Sequence, residues 1–170
     1  MSLKPTNILL KGMEEDPTGS IDSYQKLDGY KALEKALKEM SPQEVIDEVA
    51  KARIRGRGGA GFEAGRKWGI LPKQDEKPGY LACTPDESEP GTFKDRHIME
   101  HCPHRLIEGC LLTCYAINSK TGYIYVRGEF PDAQKALWRA IDEAREKGLM
   151  GENILGTDFS CEIYVHTGAG

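Results

Sequence analysis

Apolar residues recur with helical spacing in several parts of the chain and predict a series of helices. Residues 29–40 form the first of these, whereas residues 1–28 carry turn signals and are predicted to be irregular. Ser41 and Glu44 have the spacing of a capping box, so a second helix is predicted to begin at Pro42. Three further helices are predicted. One covers residues 94–101, the next begins at Pro103, and the last begins at Pro131 and ends at Gly148.

Three short apolar runs with aromatic or β-branched residues predict strands at residues 80–83, 123–126 and 161–165. Because helices separate these strands, the chain is predicted to form an α/β layer with a mostly parallel sheet. We divide the chain into an N-terminal segment of irregular structure and helices, residues 1–52, and an α/β domain, residues 53–170. Three strands make an unusually small sheet for this class.

The composition is that of a soluble globular protein with a mildly acidic balance. There are 23 Lys and Arg against 27 Asp and Glu, and the net charge of −4 argues against a nucleic-acid partner. The N-terminus, Met1–Asn7, lacks the apolar core of a secretory signal. The longest apolar stretch, Leu106–Ile117, contains Glu108 and is too short to span a membrane. Five cysteines without a CxxC pair are typical of reduced thiols in a cytoplasm-like compartment.

Glycine is concentrated in one segment, where Gly56, Gly58 and Gly61 match the pattern GxGxxG. The ordinary dinucleotide-binding fingerprint requires a strand before this pattern, and here a predicted helix precedes it. Glycines nevertheless let backbone N–H groups approach a phosphate or a flat ring closely, and Arg57 and Phe62 add positive charge and a stacking surface. The alternative is a flexible surface loop with solvated arginines.

A second dense motif, the acidic turn of residues 86–92, follows the predicted strand at residues 80–83. Loops at the carboxyl ends of parallel strands are where such sheets bind ligands. The carboxylates suit a divalent cation or hydrogen-bond donors of a ligand, such as ribose hydroxyls, and the alternative is a solvated turn. Because no other oxygen ligands are evident nearby, the metal interpretation is the weaker one.

Further groups of reactive side chains are interpreted as structural. His97 and His101 lie one helical turn apart, near Cys102 and His104, and such spacing can bind zinc. No fourth ligand is placed, however, so no metal site is predicted. Cys110 and Cys114 share an apolar helix face and are predicted to be core residues. Tyr123 and Tyr125 are predicted to lie on one side of their strand, in the core and at its rim.

Long stretches of the sequence resemble one protein family. The loop RGRGGAGF (residues 55–62) and the turn DESEPGTFKDR (86–96) are similar, in the same order, to motifs of the NADH-binding flavoprotein subunits of respiratory complex I. The stretch YIYVRGEF (123–130) and the final Gly168-Ala169-Gly170 extend the similarity, which covers about residues 25–170. The resemblance implies a Rossmann-like FMN-binding layer that transfers hydride from NADH to FMN and passes electrons to iron–sulfur clusters and quinone.

The resemblance also implies the site residues. The glycine loop and the acidic turn would form one pocket for FMN, with NADH stacked on the flavin. Phe62 would stack on the adenine, Lys67 would contact the flavin, and Glu89 would orient NADH. Hydride would pass between the two cofactors, so no catalytic residue of the protein is implied. The other implied cofactor-binding residues are Gly56, Arg57, Gly58, Gly59, Ala60, Gly61, Thr84, Asp86 and Ser88.

The sequence departs from the family's pattern at several positions. Thr84-Pro85 replaces Asn-Ala, and Ile70 replaces an aromatic residue, so weaker flavin and adenine binding is expected. In the family, the motif at residues 168–170 leads into further FMN contacts and then a helical domain with a [4Fe–4S] cluster. We therefore expect an FMN domain that is incomplete at its C-terminus, no cluster on this chain, and weak or no activity for the chain alone.

The family implies assembly with other subunits of the peripheral arm of complex I, especially the small thioredoxin-like subunit that carries a [2Fe–2S] cluster. It implies a cytoplasmic chain that is peripheral to the inner face of the membrane through the complex. Two alternatives stay open: a diaphorase subunit of a hydrogenase or formate dehydrogenase, and a catalytically inert docking fragment. The DESEPGT form of the acidic turn favours complex I.

Overall fold

The computed structural model describes residues 8–71 and 78–169, so the predictions for Met1–Asn7 and Gly170 lie outside the described residues. A short 3₁₀ turn at Ile154–Gly156 precedes the last strand. No helix in the described ranges is both long and apolar enough to cross a membrane. In chain order the elements are α1 (Ile21–Lys26), α2 (Lys31–Glu39), α3 (Pro42–Ala52), α4 (Ala64–Gly69), β1 (Tyr80–Cys83), α5 (Asp95–His101), α6 (Pro103–Ala116), β2 (Thr121–Arg127), α7 (Pro131–Glu146) and β3 (Glu162–Gly168).

Most helices begin where local signals in the sequence place them. α3 begins at Pro42 behind the predicted capping box, in which the Ser41 hydroxyl accepts a hydrogen bond from Glu44 N and the Glu44 carboxylate accepts one from Ser41 N. α6 begins at Pro103 and α7 at Pro131, as predicted. Proline suits these positions because its fixed φ matches a helix and its missing N–H would have no partner there.

Two short helices differ from the sequence predictions. The prediction of irregular structure over residues 1–28 is wrong where α1 forms, with Ser20 as its N-cap. Asp16 holds this cap by accepting hydrogen bonds from the backbone N–H and the hydroxyl of Ser20. α4, which follows the glycine loop, was also not predicted. Each has six residues, too few to show apolar periodicity, so both depend on tertiary contacts rather than on intrinsic propensity.

The sheet has three parallel strands in the order β1-β2-β3, which confirms the predicted α/β layer. α5 and α6 lie in the connection from β1 to β2, and α7 connects β2 to β3. Ile124 and Ile163 of the sheet are buried in one core with Leu137 of α7. Cys110 and Cys114 of α6 lie in the same core, as predicted. α6 and α7 therefore cover one face of the sheet.

The opposite face of the sheet carries an exposed row of tyrosines. Tyr80, Tyr123 and Tyr164, one from each strand, are 58%, 42% and 47% exposed, and neighbouring ring centres lie 6.2 and 5.7 Å apart. Tyr125 stacks on His166 further along the same strands. Tyr123 and Tyr125 follow the alternation predicted for one side of their strand. The prediction that one of this pair lies in the core is wrong, because Gly122, Ile124 and Val126 take the buried side of β2, whereas Tyr125 is partly buried, as expected at the rim.

A buried carboxylate joins the N-terminal helices to α6. Glu108, which is 6% exposed, accepts hydrogen bonds from Tyr30 N at 3.0 Å, from Leu33 N at 3.1 Å and from the Tyr24 hydroxyl. Tyr30 is the N-cap of α2 and makes no side-chain capping bond, so the carboxylate of another helix supplies the cap. Burial, and then the bond to Glu108, raises the pKa of Tyr24.

His104 extends this network one turn earlier on α6. Its Nδ1 lies 2.8 Å from the Tyr30 hydroxyl, and its Nε2 lies 2.9 Å from a carboxylate oxygen of Glu143 on α7. The same oxygen of Glu143 accepts a hydrogen bond from Ile21 N at the start of α1. Burial lowers the pKa of His104 more strongly than the contact with Glu143 raises it. The network therefore ties α1 and α2 to both α6 and α7.

Replacing the buried carboxylate is expected to destabilise the fold. Glu108→Gln places an amide NH₂ group near backbone N–H donors and should lower the free energy of unfolding by about 2–3 kcal/mol, measured by urea denaturation. The matched control is Glu48→Gln on α3, where the side chain is 67% exposed and the change should stay within about 0.5 kcal/mol. Equal effects of the two substitutions would contradict the assigned role of Glu108.

Stability is expected to fall as the pH drops below about 6.5, the ordinary pKa of histidine. Because the pKa of His104 is lowered in the folded state, the unfolded chain binds the proton more tightly. The contribution of neutral His104 is therefore complete above the ordinary pKa and is lost as the pH falls towards the folded-state pKa. Urea unfolding between about pH 7.5 and about pH 5.5 should show this decline, and His104→Gln should reduce it. An unchanged decline in the variant would rule out His104 as its source.

Candidate functional site

The glycine loop, residues 55–62, is a closed turn between α3 and α4. Hydrogen bonds from Gly56 N to Phe62 O at 2.9 Å and from Ala64 N to Ile54 O at 2.8 Å close its base. The residues between these bonds project from the base and are mostly exposed. The loop therefore presents its backbone to the surroundings instead of packing it into the core.

Three glycines keep the backbone of this loop open. Gly59 and Gly61 have φ values of +114° and +63°, which side chains rarely tolerate. A Cβ atom at Gly58 would meet nothing within 4 Å, and its φ lies outside the left-handed region. The backbone conformation therefore explains why glycine occurs at positions 59 and 61, but it does not explain Gly58. A bare backbone at that position is what a flat ring or a phosphate needs for close approach.

Close packing of α4 on α3 fixes the position of the loop. A Cβ atom at Gly65 would lie 2.4 Å from Ala50 N, so only glycine permits this approach. Arg66 lies over the Phe62 ring, with 5.6 Å between the guanidinium carbon and the ring centre. Phe62 is 44% exposed and Lys67 is also exposed, so both predicted residues are accessible to a ligand.

The acidic turn is shaped by Glu87, a residue that was not predicted to have a role. Its buried carboxylate accepts hydrogen bonds from Lys94 N at 2.6 Å, Asp95 N at 2.7 Å and Arg96 N at 3.2 Å, at the start of α5. Burial alone would raise the pKa of Glu87, but these backbone bonds and the charge of Lys94 outweigh it and lower the pKa. The carboxylate thus caps α5 and folds the turn back onto the helix.

Asp86 offers an unused acceptor beside this cap. The Ser88 hydroxyl donates a hydrogen bond to Asp86 Oδ2, while Asp86 Oδ1 is shielded from solvent and has no hydrogen-bond partner among residues 8–71 and 78–169. Buried carboxylate oxygens without a partner are rare in folded proteins. A ligand with hydroxyl or N–H donors would satisfy this oxygen, which fits the flavin-binding role predicted for Asp86.

Arg127 adds positive charge at the same edge of the sheet. It ends β2, next to the strand that leads into the acidic turn. Its hydrogen bond to Glu129, and also the nearby charge of Asp86, raise the pKa of Arg127. Arg127 directly follows the predicted strand at residues 123–126, and this position was the available signal for a residue at this edge.

The structure brings the beginning of the glycine loop close to the segment after the acidic turn. Arg55 and Arg57 line a cleft of about 990 Å³ together with Phe93 and Lys94. Thr84 lines a separate cavity of about 170 Å³. In the described part of the chain, no hydrogen bond or ion pair connects the glycine loop to the acidic turn. The pairing of the two motifs in one pocket therefore stays a prediction.

The chain matches a family model over residues 49–170, and that model describes the Nuo51 FMN-binding domain. The chain belongs to this family. The match contains both the glycine loop and the acidic turn, so the resemblance predicted from these motifs is confirmed at the level of the family.

Relatives with assigned names agree with this membership. The chain is 54% identical over 164 residues to the F subunit of NADH-quinone oxidoreductase from Aquifex aeolicus, covering 96% of this chain and 38% of that protein. It is 49% identical over 151 residues to the F subunit of NADH-quinone oxidoreductase from Escherichia coli, covering 88% of this chain and 34% of that protein. The chain thus spans little more than a third of the length of these relatives.

Solved structures support the Rossmann-like FMN-domain fold. The NAD⁺-reducing [NiFe]-hydrogenase in its air-oxidized state matches 97% of this chain and 25% of that chain, with a TM-score of 0.64 and 26% identity. The same type of enzyme in its H₂-reduced state matches 76% of this chain and 22% of that chain, with a TM-score of 0.60 and 29% identity.

Loss of the Glu87 cap is expected to loosen the acidic turn. Glu87→Gln should lower the free energy of unfolding by about 1–2 kcal/mol, because a neutral amide oxygen is a weaker acceptor for the helix N–H groups. Hydrogen exchange of the amides of residues 94–96 should become faster. Glu89→Gln, two residues later and exposed, is the matched control and should change neither measurement. Unchanged exchange in Glu87→Gln would contradict the capping role.

Proposed function

We propose that this chain contributes to the FMN and NADH site of an NADH-quinone oxidoreductase flavoprotein subunit, in which hydride passes from NADH to FMN. The observation that carries the proposal is the unpaired, shielded Oδ1 of Asp86, within a region that matches an FMN-binding domain. The bare backbone at Gly58 gives independent support. The names of the relatives support the reaction class.

The residues present fit the chemistry of a flavin nucleotide. FMN, when bound, would supply the hydride acceptor and would then release electrons to iron–sulfur centres. Asp86 Oδ1 would accept a hydrogen bond from the cofactor, with Ser88 holding the carboxylate in place. The positive charge of Lys67 would favour an electron-rich reduced ring. Phe62 would stack on the adenine of NADH, and Glu89 would orient that substrate.

The same proposal includes the assembly. The relatives are named as subunits of an oxidoreductase, which supports a place in a multisubunit complex. We place the small [2Fe–2S] subunit among the partners and the [4Fe–4S] cluster in the region of the relatives that this chain does not match. We also place the chain at the cytoplasmic face of the membrane, held there by its partners.

A diaphorase function is the second candidate. The structural similarity to NAD⁺-reducing [NiFe]-hydrogenase, at a TM-score of 0.64 over 97% of this chain, favours it. In that case the same pocket would exchange hydride between NAD and flavin, with a hydrogenase as the electron partner. We rank the complex I function first because the identity to the NADH-quinone oxidoreductase relative is higher, 54% against 26%.

A flavin titration tests the proposed site. We expect the 170-residue chain to bind FMN weakly, seen as quenching of flavin fluorescence, and to show little NADH–ferricyanide reductase activity. A chimera in which the chain replaces the matched region of the Aquifex aeolicus relative should retain FMN and reduce ferricyanide with NADH. Lys67→Ala and Asp86→Asn in the chimera should each weaken the affinity for FMN by about tenfold or more. The FMN content of the purified variants should fall accordingly.

The matched control is Lys35→Ala on α2, an exposed lysine outside both motifs, which should leave FMN content unchanged. A folded chimera without FMN would contradict the flavin function and favour an inert docking fragment. Full FMN content in both site variants would show that Lys67 and Asp86 do not contact the flavin.

A further inference from the structure

Three side chains that bind metals converge on α5, outside the two motifs. His97, Glu100 and His101 occupy positions i, i+3 and i+4, and one donor atom from each lies within 4.8 Å of the other two. The sequence HIMEH gives the order HxxEH, in which two histidines one turn apart share a helix face. All three residues are partly exposed, so an ion from solution can reach them.

His101 already has the orientation of a metal ligand. Its Nδ1 lies 2.9 Å from Pro17 O, and a carbonyl oxygen can only accept a hydrogen bond, so Nδ1 carries the hydrogen. In the neutral ring this leaves the free electron pair on Nε2, which lies 3.9 Å from Glu100 Oε2. Metal-bound histidines in proteins commonly donate their other ring N–H to a backbone carbonyl in this way.

His97 is held beside His101 by aromatic contacts. The two imidazole rings are stacked, with centres 6.1 Å apart and an angle of 16° between their planes. The Phe93 ring meets the His97 ring edge-on, with 6.2 Å between the ring centres. These contacts limit the movements of the His97 ring and keep its nitrogens near the other two donors.

We propose that His97, Glu100 and His101 bind one divalent first-row transition-metal ion of the zinc class. At the usual metal–ligand distance of about 2.0–2.2 Å, tetrahedral ligands lie roughly 3.3 Å apart. The present separations of at most 4.8 Å therefore require a closure of about 1.5 Å or less, which small side-chain rotations provide. Water would fill the fourth position, so an exposed site needs only three protein ligands. The sequence analysis predicted no metal because it found no fourth protein ligand, and that ligand is not required here.

Binding at this place would connect two parts of the chain. The ion would hold the last turn of α5, and the bond from His101 to Pro17 would carry that restraint to the segment before α1. The opposite end of the same helix is fixed by Glu87 of the acidic turn. An occupied site would therefore hold α5 at both ends.

A cobalt titration of the 170-residue chain tests the proposal, because Co²⁺ occupies zinc sites and its visible spectrum reports the ligands. We expect one ion per chain, displaceable by Zn²⁺, with no charge-transfer band from a cysteine thiolate. His101→Asn, whose amide can still donate to Pro17 O, and His97→Asn should each weaken binding by about tenfold or more. Glu100→Gln should also weaken it.

The matched control is His166→Asn on the exposed side of β3, which removes a histidine outside the cluster and should leave the affinity unchanged. Circular dichroism checks that each variant keeps its helices. Unchanged affinity in folded His97→Asn and His101→Asn, or a thiolate charge-transfer band in the wild type, would overturn the proposal. The outcome does not depend on flavin binding, so the two proposals are tested separately.

Discussion

The arrangement of the helices depends on one buried charge, the carboxylate of Glu108. Two short helices, α1 and α2, have little stability of their own, and the first turn of α2 exposes N–H groups that need acceptors. The Glu108 carboxylate, on the buried side of α6, accepts hydrogen bonds from backbone N–H groups of that turn. His104 and Glu143 continue the same chain of bonds to α7. Because α6 and α7 also lie in the connections of the parallel sheet, this network joins the N-terminal segment to the layer that carries the candidate site.

Local signals predicted the helix starts but not this network. Pro42, Pro103 and Pro131 act on their own neighbours in the chain, and their effects are visible in a short window of sequence. Glu108 could be recognised only as a charge within an apolar stretch, because its partners lie 75 to 84 positions earlier. A pattern with a period of a few residues contains no information on such partners. α1 was not predicted because its six residues are too few to show such a period.

The candidate site shows the same division. The spacing of the glycines identified a loop with an open backbone, and the structure shows that Gly59 and Gly61 also satisfy a conformational demand. The roles of Phe62, Lys67 and Glu89 came from the resemblance, since no periodicity assigns a ring or a charge to a particular part of a dinucleotide. The capping role of Glu87 could not be predicted, because an acidic residue in an acidic turn is expected to be solvated. Its three backbone donors are evident only in the structure.

The tyrosine row on the open face of the sheet has a consequence for handling the chain in solution. Parallel sheets nearly always have both faces covered, and here Tyr80, Tyr123 and Tyr164 present flat, amphipathic rings to water in a continuous band. Such a band attracts any other apolar surface, including that of another molecule in a concentrated sample. The isolated chain therefore carries an exposed aromatic band in addition to its net charge of −4. A buffer that weakens aromatic contacts is expected to reduce self-association of the isolated chain.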